Sequence, residues 1–428
     1  MIQEFSVKNF TSIKDRQTIS FVANKRMESG AEEFLCIDVT ESVKLLKLAI
    51  LYGYNASGKT NLLIALSFLR DLAVKGRETK DKEIGFIPFK FDNDTVKQPG
   101  EFNLIFYIDK IRYHYSIKLD NKRIHSETLL FWPEGRKAIV YDRVRDTDKE
   151  LSKIAFGSTI ELSANDKNIL RGNTLENNTV LYTYKKINIE NEVLKEVVKY
   201  FNETLLPMVY SDSNIEHWSI SELLKSSEAK DILLQLMKKA DFQISEFEVK
   251  KTRKSVDERT FQLLKILNET DKKFDEQKFK EIERRELYFE HKTSQGTFKL
   301  PSSEESDGTN RYFGLAGVLR KLILSNCVLA IDELESSLHP DLVSFLLQIF
   351  LTNSQNSQII CTTHAQYLMA LDYMRRDMIW FCEKGEDGSS QYFSAQDFKI
   401  HKNIKLDNFY RIGKLGAKPI LGTPILED

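Results

Sequence analysis

Cysteine is scarce in this 428-residue chain, and the four present, Cys36, Cys327, Cys361 and Cys382, are widely spaced, three of them inside apolar runs. That distribution argues against a disulfide framework or a zinc site and for buried reduced thiols in a reducing cytosol. Net charge is also lacking: at −1 the chain has no global field to attract nucleic acid, and only local patches stay open for that role. No apolar run approaches the length of a transmembrane helix. The start, "MIQEFSVKNF", alternates like a strand and carries no basic-then-apolar leader. Internal repeats, low-complexity linkers and long heptad patterns are missing too, which removes a chromosome-scale coiled-coil tether. What remains, 41% hydrophobic and 29% charged, suits a soluble chain with a large core and two or three domains.

The most informative stretch that is present is "LYGYNASGKTNLL", Leu51 to Leu63. A nearly continuous apolar run (Leu45, Leu46, Leu48, Ala49, Ile50, Leu51) precedes Gly53 and reads as a strand buried on both faces. After Gly58-Lys59-Thr60, Leu62, Leu63, Leu66, Leu69 and Ala73 recur at helical spacing. In the order strand, glycine loop, helix, backbone N–H groups can close around phosphates, Lys59 can meet the β/γ oxygens and Thr60 can hold Mg²⁺.

A second cluster begins at Ser302. "CVLAIDE" runs Val328 to Ile331 into Asp332 and Glu333, the shape of a Walker B strand. There one carboxylate orders the Mg²⁺ beside Thr60 and the next orients or deprotonates water. "SQIICTTH" is a further buried strand that delivers His364 at its C-terminal end, where ligands collect in open α/β sheets. A lone histidine is more often structural, but this placement favours a γ-phosphate sensor. "DMIWFCE" adds a strand after a helix, so a β-α-β-α-β series joins the strand at 45–52 in one mostly parallel sheet. Between 100 and 145, "EFNLIFYID", "IRYHYSIKL" and "KAIVYDRV" read as antiparallel strands. From 185 to 285 the pattern is helical and highly charged, "ELLKSSEAKDILLQLMKKAD" being its clearest amphipathic piece, and "ELYFEHKTSQGTFKL" is strand-like. In "ESDGTNRYFGLAGVL", Ser306 and Gly308 open a helix and offer another anion site, or simply a cap. "KKTRK", Lys250 to Lys254, reads as a solvated basic turn before it reads as a phosphate patch.

The ordered set of Walker A, serine-glycine signature, Walker B, D-loop and switch histidine resembles ABC-type ATPases of the SMC, RecF and OLD branch. Within that branch, "FSVKNFTSIKD", "ESDGTNRYFGLA", "DELESSLHP", "TTHAQYL" and "YRIGKLGAKP" look most like the stand-alone ATPases of bacterial phage-defence cassettes, of the AbiL and RloA type. The resemblance implies an α/β P-loop fold: a mostly parallel sheet, an antiparallel β lobe and an inserted helical domain. Residues 1–185 would form the N-terminal half of the ATPase, 186–286 the insertion and 287–428 the C-terminal half. It implies ATP and Mg²⁺ as cofactors. Gly53, Asn55, Ala56, Ser57, Gly58, Lys59, Thr60 and Asn61 would surround the phosphates, Thr60 and Asp332 would hold the metal, and Lys59, Glu333 and His364 would be catalytic. Ser306, Gly308 and Thr309 would close on the nucleotide of a facing subunit, with Ser337 and His339 in the D-loop near the dimer seam. The implied function is a cytoplasmic, ATP-sandwiched homodimer or higher even oligomer that regulates a separate effector, a nuclease or toxin, in anti-phage defence.

The signature departs from the family in having no second glycine, and no glutamine lid is identifiable beyond Gln98. No acidic-cluster nuclease pattern follows Walker B, so any cutting is expected of a partner. A DNA-repair or DNA-clamp ATPase, and an assembly scaffold with little turnover, share these motifs and stay open, with nucleic acid as an untested partner. A P-loop kinase would leave the signature and His364 without a role.

Overall fold

The apolar run before the glycine loop forms two strands: β4 (Val43–Leu46) and β5 (Leu48–Tyr52) are separated by Lys47. Lys47 is buried, and its ammonium donates to the carbonyls of Leu351 and Ser354 at 3.3 and 2.6 Å. Those carbonyls close the helix Pro340–Asn353, where a cation meets the negative end of the helix dipole. Beyond Lys47 the five residues of β5 are all buried, which is why no polar residue interrupts them.

These coordinates are a computed structural model that describes residues 1–25, 32–146, 151–255, 281–399, 405–419 and 423. β5 lies in a five-stranded sheet with β14 (Val328–Ile331), β15 (Gln358–Thr363), β16 (Ile379–Lys384) and β17 (Ser390–Ser394), in the order β14-β15-β5-β16-β17. The first four are parallel, and β17 returns antiparallel to β16. Sequence-distant strands thus meet as expected. The connection from β15 to β16, expected to contain a helix, is made instead by two short 3₁₀ turns, Gln366–Ala370 and Arg376–Met378. Residues 205–209 run beside β14, where Leu206 and Val209 donate to the Val328 and Ala330 carbonyls at 2.9 Å, so they group with the first of two compact units.

That unit comprises Met1–Ser213, Lys321–Ser336 and Val343–Asp428. Its antiparallel lobe is a seven-stranded sheet in the order β10-β9-β8-β7-β6-β1-β2. The members are β1 (Ile2–Lys8), β2 (Gln17–Ser20), β6 (Gly100–Ile108), β7 (Ile111–Leu119), β8 (Ile124–Trp132), β9 (Ala138–Asp146) and β10 (Leu151–Phe156). A small pair, β3 (Cys36–Thr40) with β4, flanks it. Buried Gln358 ties the lobe to the parallel sheet: its side-chain amide accepts from Ile2 N–H at 2.6 Å and donates to the Ile2 and Leu46 carbonyls, both at 3.0 Å. A side chain here performs the pairing that two sheet edges cannot complete themselves.

The second unit, Asn214–Arg320 with Ser337–Leu342, contains helices Glu216–Leu223 and Ser227–Lys239 and an antiparallel sheet of β11 (Ile244–Ser255), β12 (Glu281–Thr293) and β13 (Gly296–Pro301). Residues 244–255, expected to be helical, are therefore strand. Their Lys/Glu content suits a helix, but Phe247 must pair with Phe289 and pack on Phe313, ring centroids 5.7 and 5.0 Å away, and tertiary packing outweighs propensity of that size. "KKTRK" likewise lies in β11 rather than in a turn. Lys250 is registered opposite Glu286, and its ammonium stands 4.4 Å from the Tyr288 ring centroid.

The β lobe hides one charged pair. Glu127 and Arg143 are both fully buried, with Arg143 Nη1 3.4 Å from Glu127 Oε2. Glu127 also accepts from Tyr115 and Tyr141 hydroxyls at 3.1 and 2.7 Å and from Val180 N–H, while Arg143 donates to the Asn178 carbonyl at 2.6 Å. Burial pushes the Glu127 carboxyl up against the opposing pull of Arg143 and these donors. Glu127→Ala, which strands the guanidinium, should lower stability by about 3–5 kcal/mol, whereas Glu127→Leu with Arg143→Met should recover most of that loss; urea unfolding of the three proteins measures both.

Candidate functional site

The site lies at the C-terminal ends of β5, β14 and β15, where the parallel sheet delivers its loops. After Tyr52 the chain turns through Gly53 to Gly58 into the helix Lys59–Val74. Ala56 (φ 65°) and Gly58 (φ 105°) are left-handed, which lets the loop curl tightly into the helix start. Its back is braced by side chains. The Ser57 carbonyl accepts from Ser390 Oγ at 2.6 Å and Cys382 Sγ at 3.3 Å, the Gly58 carbonyl accepts from Tyr392 at 2.7 Å, and Asn61 donates to Ser12 Oγ at 2.6 Å. Tyr54 Oη accepts from Lys384 N–H, while Asn55 and Ala56 are exposed.

Lys59 is buried, and its ammonium donates to the Gly53 and Tyr54 carbonyls at 3.0 and 3.3 Å and to His364 Nε2 at 3.1 Å. An ammonium has no acceptor, so His364 Nε2 must receive this bond as a neutral ring. Partial burial and the Lys59 charge push His364 below its ordinary value, in agreement with that state. Burial also pushes Lys59 down, partly offset by nearby acidic groups including Asp332, Glu333 and Glu335.

Thr60 Oγ1 donates to Asp332 Oδ1 at 2.9 Å, and Thr362 Oγ1 donates to the same oxygen at 2.6 Å. The Thr362 hydroxyl in turn accepts from Glu333 N–H at 2.8 Å, although Glu333 has a left-handed backbone (φ 47°). Among the described residues the Glu333 carboxylate has no hydrogen-bond partner, which leaves it available to a water. Four predicted residues from three segments therefore meet in two direct contacts, Lys59 with His364 and Thr60 with Asp332, with Glu333 tied in through its backbone.

Ser306, Gly308, Thr309, Ser337 and His339 belong to the second unit. Ser306 Oγ accepts from Thr309 N–H at 3.0 Å at the start of the helix Asp307–Leu324 and stands 2.9 Å from Thr309 Oγ1. The capping reading is thus realised. A Cβ on Gly308 would come 2.9 Å from the Ser337 carbonyl, which brings signature and D-loop together and explains the glycine. His339 is exposed, its Nδ1 3.6 Å from Asp341. Gln98 is exposed and offers its carbonyl to Asn9.

Several contributors had little or no sequence signal. Thr362 and Glu335 sit inside stretches already marked, "TTH" and "DELE", where polar groups at strand ends were the available hint. Ser390 and Tyr392 arrive from β17 without any.

The loop fits a polyphosphate. Ser57 Oγ is buried with no hydrogen-bond partner among the described residues, and the helix N-terminus supplies N–H groups that no turn of helix can satisfy. Thr60 and Asp332 offer one hydroxyl and one carboxylate, an oxygen set suited to Mg²⁺, which takes its remaining ligands from phosphate and water.

A glycine loop between a buried parallel strand and a helix, faced by a strand-end carboxylate pair and a histidine, has the arrangement of a P-loop NTPase fold. The chain belongs to the family described as "AAA domain, putative AbiEii toxin, Type IV TA system", which matches residues 48–179 and 186–370. The resemblance to defence-cassette ATPases agrees with this family. Solved structures similar to the chain include an SMC head bound to the C-terminal winged-helix domain of ScpA, 14% identical over 92% of this chain and 97% of that one, TM-score 0.42. The SMC head domain from Thermotoga maritima is 13% identical over 92% and 98%, TM-score 0.40. An SMC head with an extended coiled coil, bound to the C-terminal domain of ScpA and derived from Pyrococcus furiosus, is 15% identical over 97% and 99%, TM-score 0.35. No curated protein matches the sequence.

Gly58 is the least replaceable loop residue. An added Cβ would lie 2.0 Å from Ser390 Oγ and 2.7 Å from Ser12 Oγ, on a backbone at φ 105°. Left-handed geometry alone costs about 1–2 kcal/mol for a non-glycine residue, so Gly58→Ala should displace the loop and weaken nucleotide binding at least tenfold in a fluorescent-nucleotide titration. Gly85→Ala, also left-handed but in open space, should leave that affinity unchanged.

Proposed function

We propose that this chain binds ATP with Mg²⁺, hydrolyses it, and uses the nucleotide to hold two copies of itself together. The observation that carries this reading is the convergence of Lys59 with His364 and of Thr60 with Asp332 at the ends of three parallel strands. Lys59 would neutralise the β/γ oxygens, and the loop N–H groups with Ser57 would surround the phosphates. Thr60 and Asp332 would hold the Mg²⁺, which supplies charge neutralisation to the developing phosphoryl anion when bound. Glu333, its carboxylate free, would accept a proton from water. His364, kept neutral, would sense the γ-phosphate at the position now taken by Lys59.

Ser306, Gly308 and Thr309 would close on the nucleotide of a second copy, which makes each site composite and the assembly a homodimer or higher even oligomer. In this reading the assembly regulates a separate effector, a nuclease or toxin, in anti-phage defence; the family's description as a putative toxin of a type IV toxin–antitoxin system supports the defence setting. A cytoplasmic setting is supported by four buried, unbridged thiols; among the described residues no helix is long and apolar enough to cross a membrane.

Lys59→Ala should weaken ATP binding by about tenfold to a hundredfold, the worth of one charged hydrogen bond. Glu333→Gln should keep binding, lower hydrolysis by about 10²–10⁴-fold, and accumulate an ATP-dependent dimer in light scattering. Normal turnover by Glu333→Gln would overturn the assignment of the base.

The composite site has its own test. Ser306→Arg and Lys59→Ala should each be inactive, but a mixed dimer contains one intact P-loop facing one intact signature. Mixing the purified variants should restore up to about half the activity per mixed dimer if the sites act independently. A mixture that shows no turnover and no ATP-dependent association of the differently labelled variants would refute the sandwich.

A further inference from the structure

Glu335 takes no part in the roles assigned above, yet it makes the closest contacts of the switch segment. Its Oε2 accepts from Thr363 Oγ1 at 2.6 Å and its Oε1 from the backbone N–H of His364 at 2.5 Å. Thr363 is fully buried and accepts in turn from Ala365 N–H at 3.0 Å, so this one carboxylate governs the path of the chain on both sides of His364. The preceding residue extends the clamp, since Thr362 Oγ1 joins the Asp332 carboxylate to the Glu333 amide. Three successive residues at the end of β15 are thereby bonded to the Walker B turn.

That turn does not hold its shape unaided. Glu333 (φ 47°) and Ser337 (φ 59°) are both left-handed, and between them Ser336 donates to the Glu333 carbonyl at 2.9 Å. Non-glycine residues in such a conformation persist only where surrounding bonds over-determine them. Glu335 falls between these two residues in sequence, and its carboxylate spends both oxygens on the His364 segment. His364 itself is exposed, and the described structure ties its ring only to Lys59 Nζ. Its position therefore depends on its backbone, and its backbone depends on Glu335.

We infer that Glu335 is a positioning residue that locks the His364 backbone to the Walker B turn, so that the imidazole is presented to Lys59 and to the nucleotide's terminal phosphate. This rests on the ATP-hydrolysing reading for its effect on turnover, but the lock itself is a property of the free protein. Removing the carboxylate leaves a buried hydroxyl and an amide N–H without an acceptor and releases the switch. Substrate binding through the P-loop does not pass through Glu335 and is preserved.

Glu335→Ala and the milder Glu335→Gln, whose amide can still accept from His364 N–H, are the variants to measure. Hydrogen exchange of the free protein should accelerate at least about tenfold in Glu335→Ala for the peptide spanning 362–368, with the 53–63 peptide within about twofold. In steady-state ATPase assays kcat should fall about tenfold or more with KM within about threefold, the mark of an interaction not used in ground-state binding. Glu335→Gln should fall between Glu335→Ala and the parent protein in both measurements. In a His364→Ala background, adding Glu335→Ala should change kcat by less than about twofold, because both act through one ring. An equal loss in that background, or unchanged exchange over 362–368, overturns the assignment. If His364→Ala leaves no measurable turnover, the exchange result decides. A parent protein that hydrolyses no ATP would refute the proposed function, and the exchange experiment would still decide whether Glu335 holds the switch.

Discussion

The parallel pairing of β5 with β15 is the constraint on which the rest depends. Its register, from Ile359 opposite Leu48 to Thr363 opposite Tyr52, aligns two strands about three hundred residues apart so that they end at the same level. One then releases the glycine loop and the other the Thr362-Thr363-His364 segment. With β14 on the far side of β15, Asp332 emerges at that level too. A slip of two residues in any of these ladders would move its functional group by roughly 7 Å, two strand residues, and no side chain in the site has that reach.

The site this alignment produces is held from behind and left incomplete in front. Ser390, Cys382 and Tyr392 occupy the Ser57 and Gly58 carbonyls of the loop. Lys59 turns inward to two carbonyls and a histidine, while Ser57 Oγ is buried without a partner. Buried polar groups in native structures seldom lack partners. This arrangement therefore has a direction to it: an incoming polyphosphate meets oriented donors and needs few of them reorganised, the condition under which electrostatic stabilisation is most effective. The same economy operates at Asp332, where one carboxylate oxygen accepts from threonines on two different segments.

In the second unit a comparable logic is applied to a helix start. Ser306 caps Thr309, and Gly308 leaves room for the Ser337 carbonyl. Cap and anion site need the same oriented groups, so the sequence alone could not separate the two readings of Ser306. The Thr309 hydroxyl packs against the same cap, 2.9 Å from Ser306 Oγ.

Much of this was legible because local order carries it. The apolar runs at 48–52 and 328–331 are buried throughout, so their lack of polar residues is a direct record of the doubly covered sheet, and the glycine loop needs only its neighbours to be recognised. Aromatic and β-branched content between turn signals likewise marked β6, β7 and β9. Where the partner is remote the record fails. Residues 244–255 carry the charge of a surface helix, and they are a strand because β12 and Phe313 meet them. The helix expected between β15 and β16 is replaced by 3₁₀ turns, and Lys47 breaks a strand because the end of a helix about three hundred residues later accepts its charge. The sequence by itself determined which residue types could handle a phosphate, since Gly53, Gly58, Lys59, Thr60, Asp332 and Glu333 carry that chemistry wherever they stand. Only the tertiary structure decided that they stand together and that Glu335, Thr362, Ser390 and Tyr392 hold them there, because hydrogen bonds between distant segments depend on register and strand order, which no local pattern encodes.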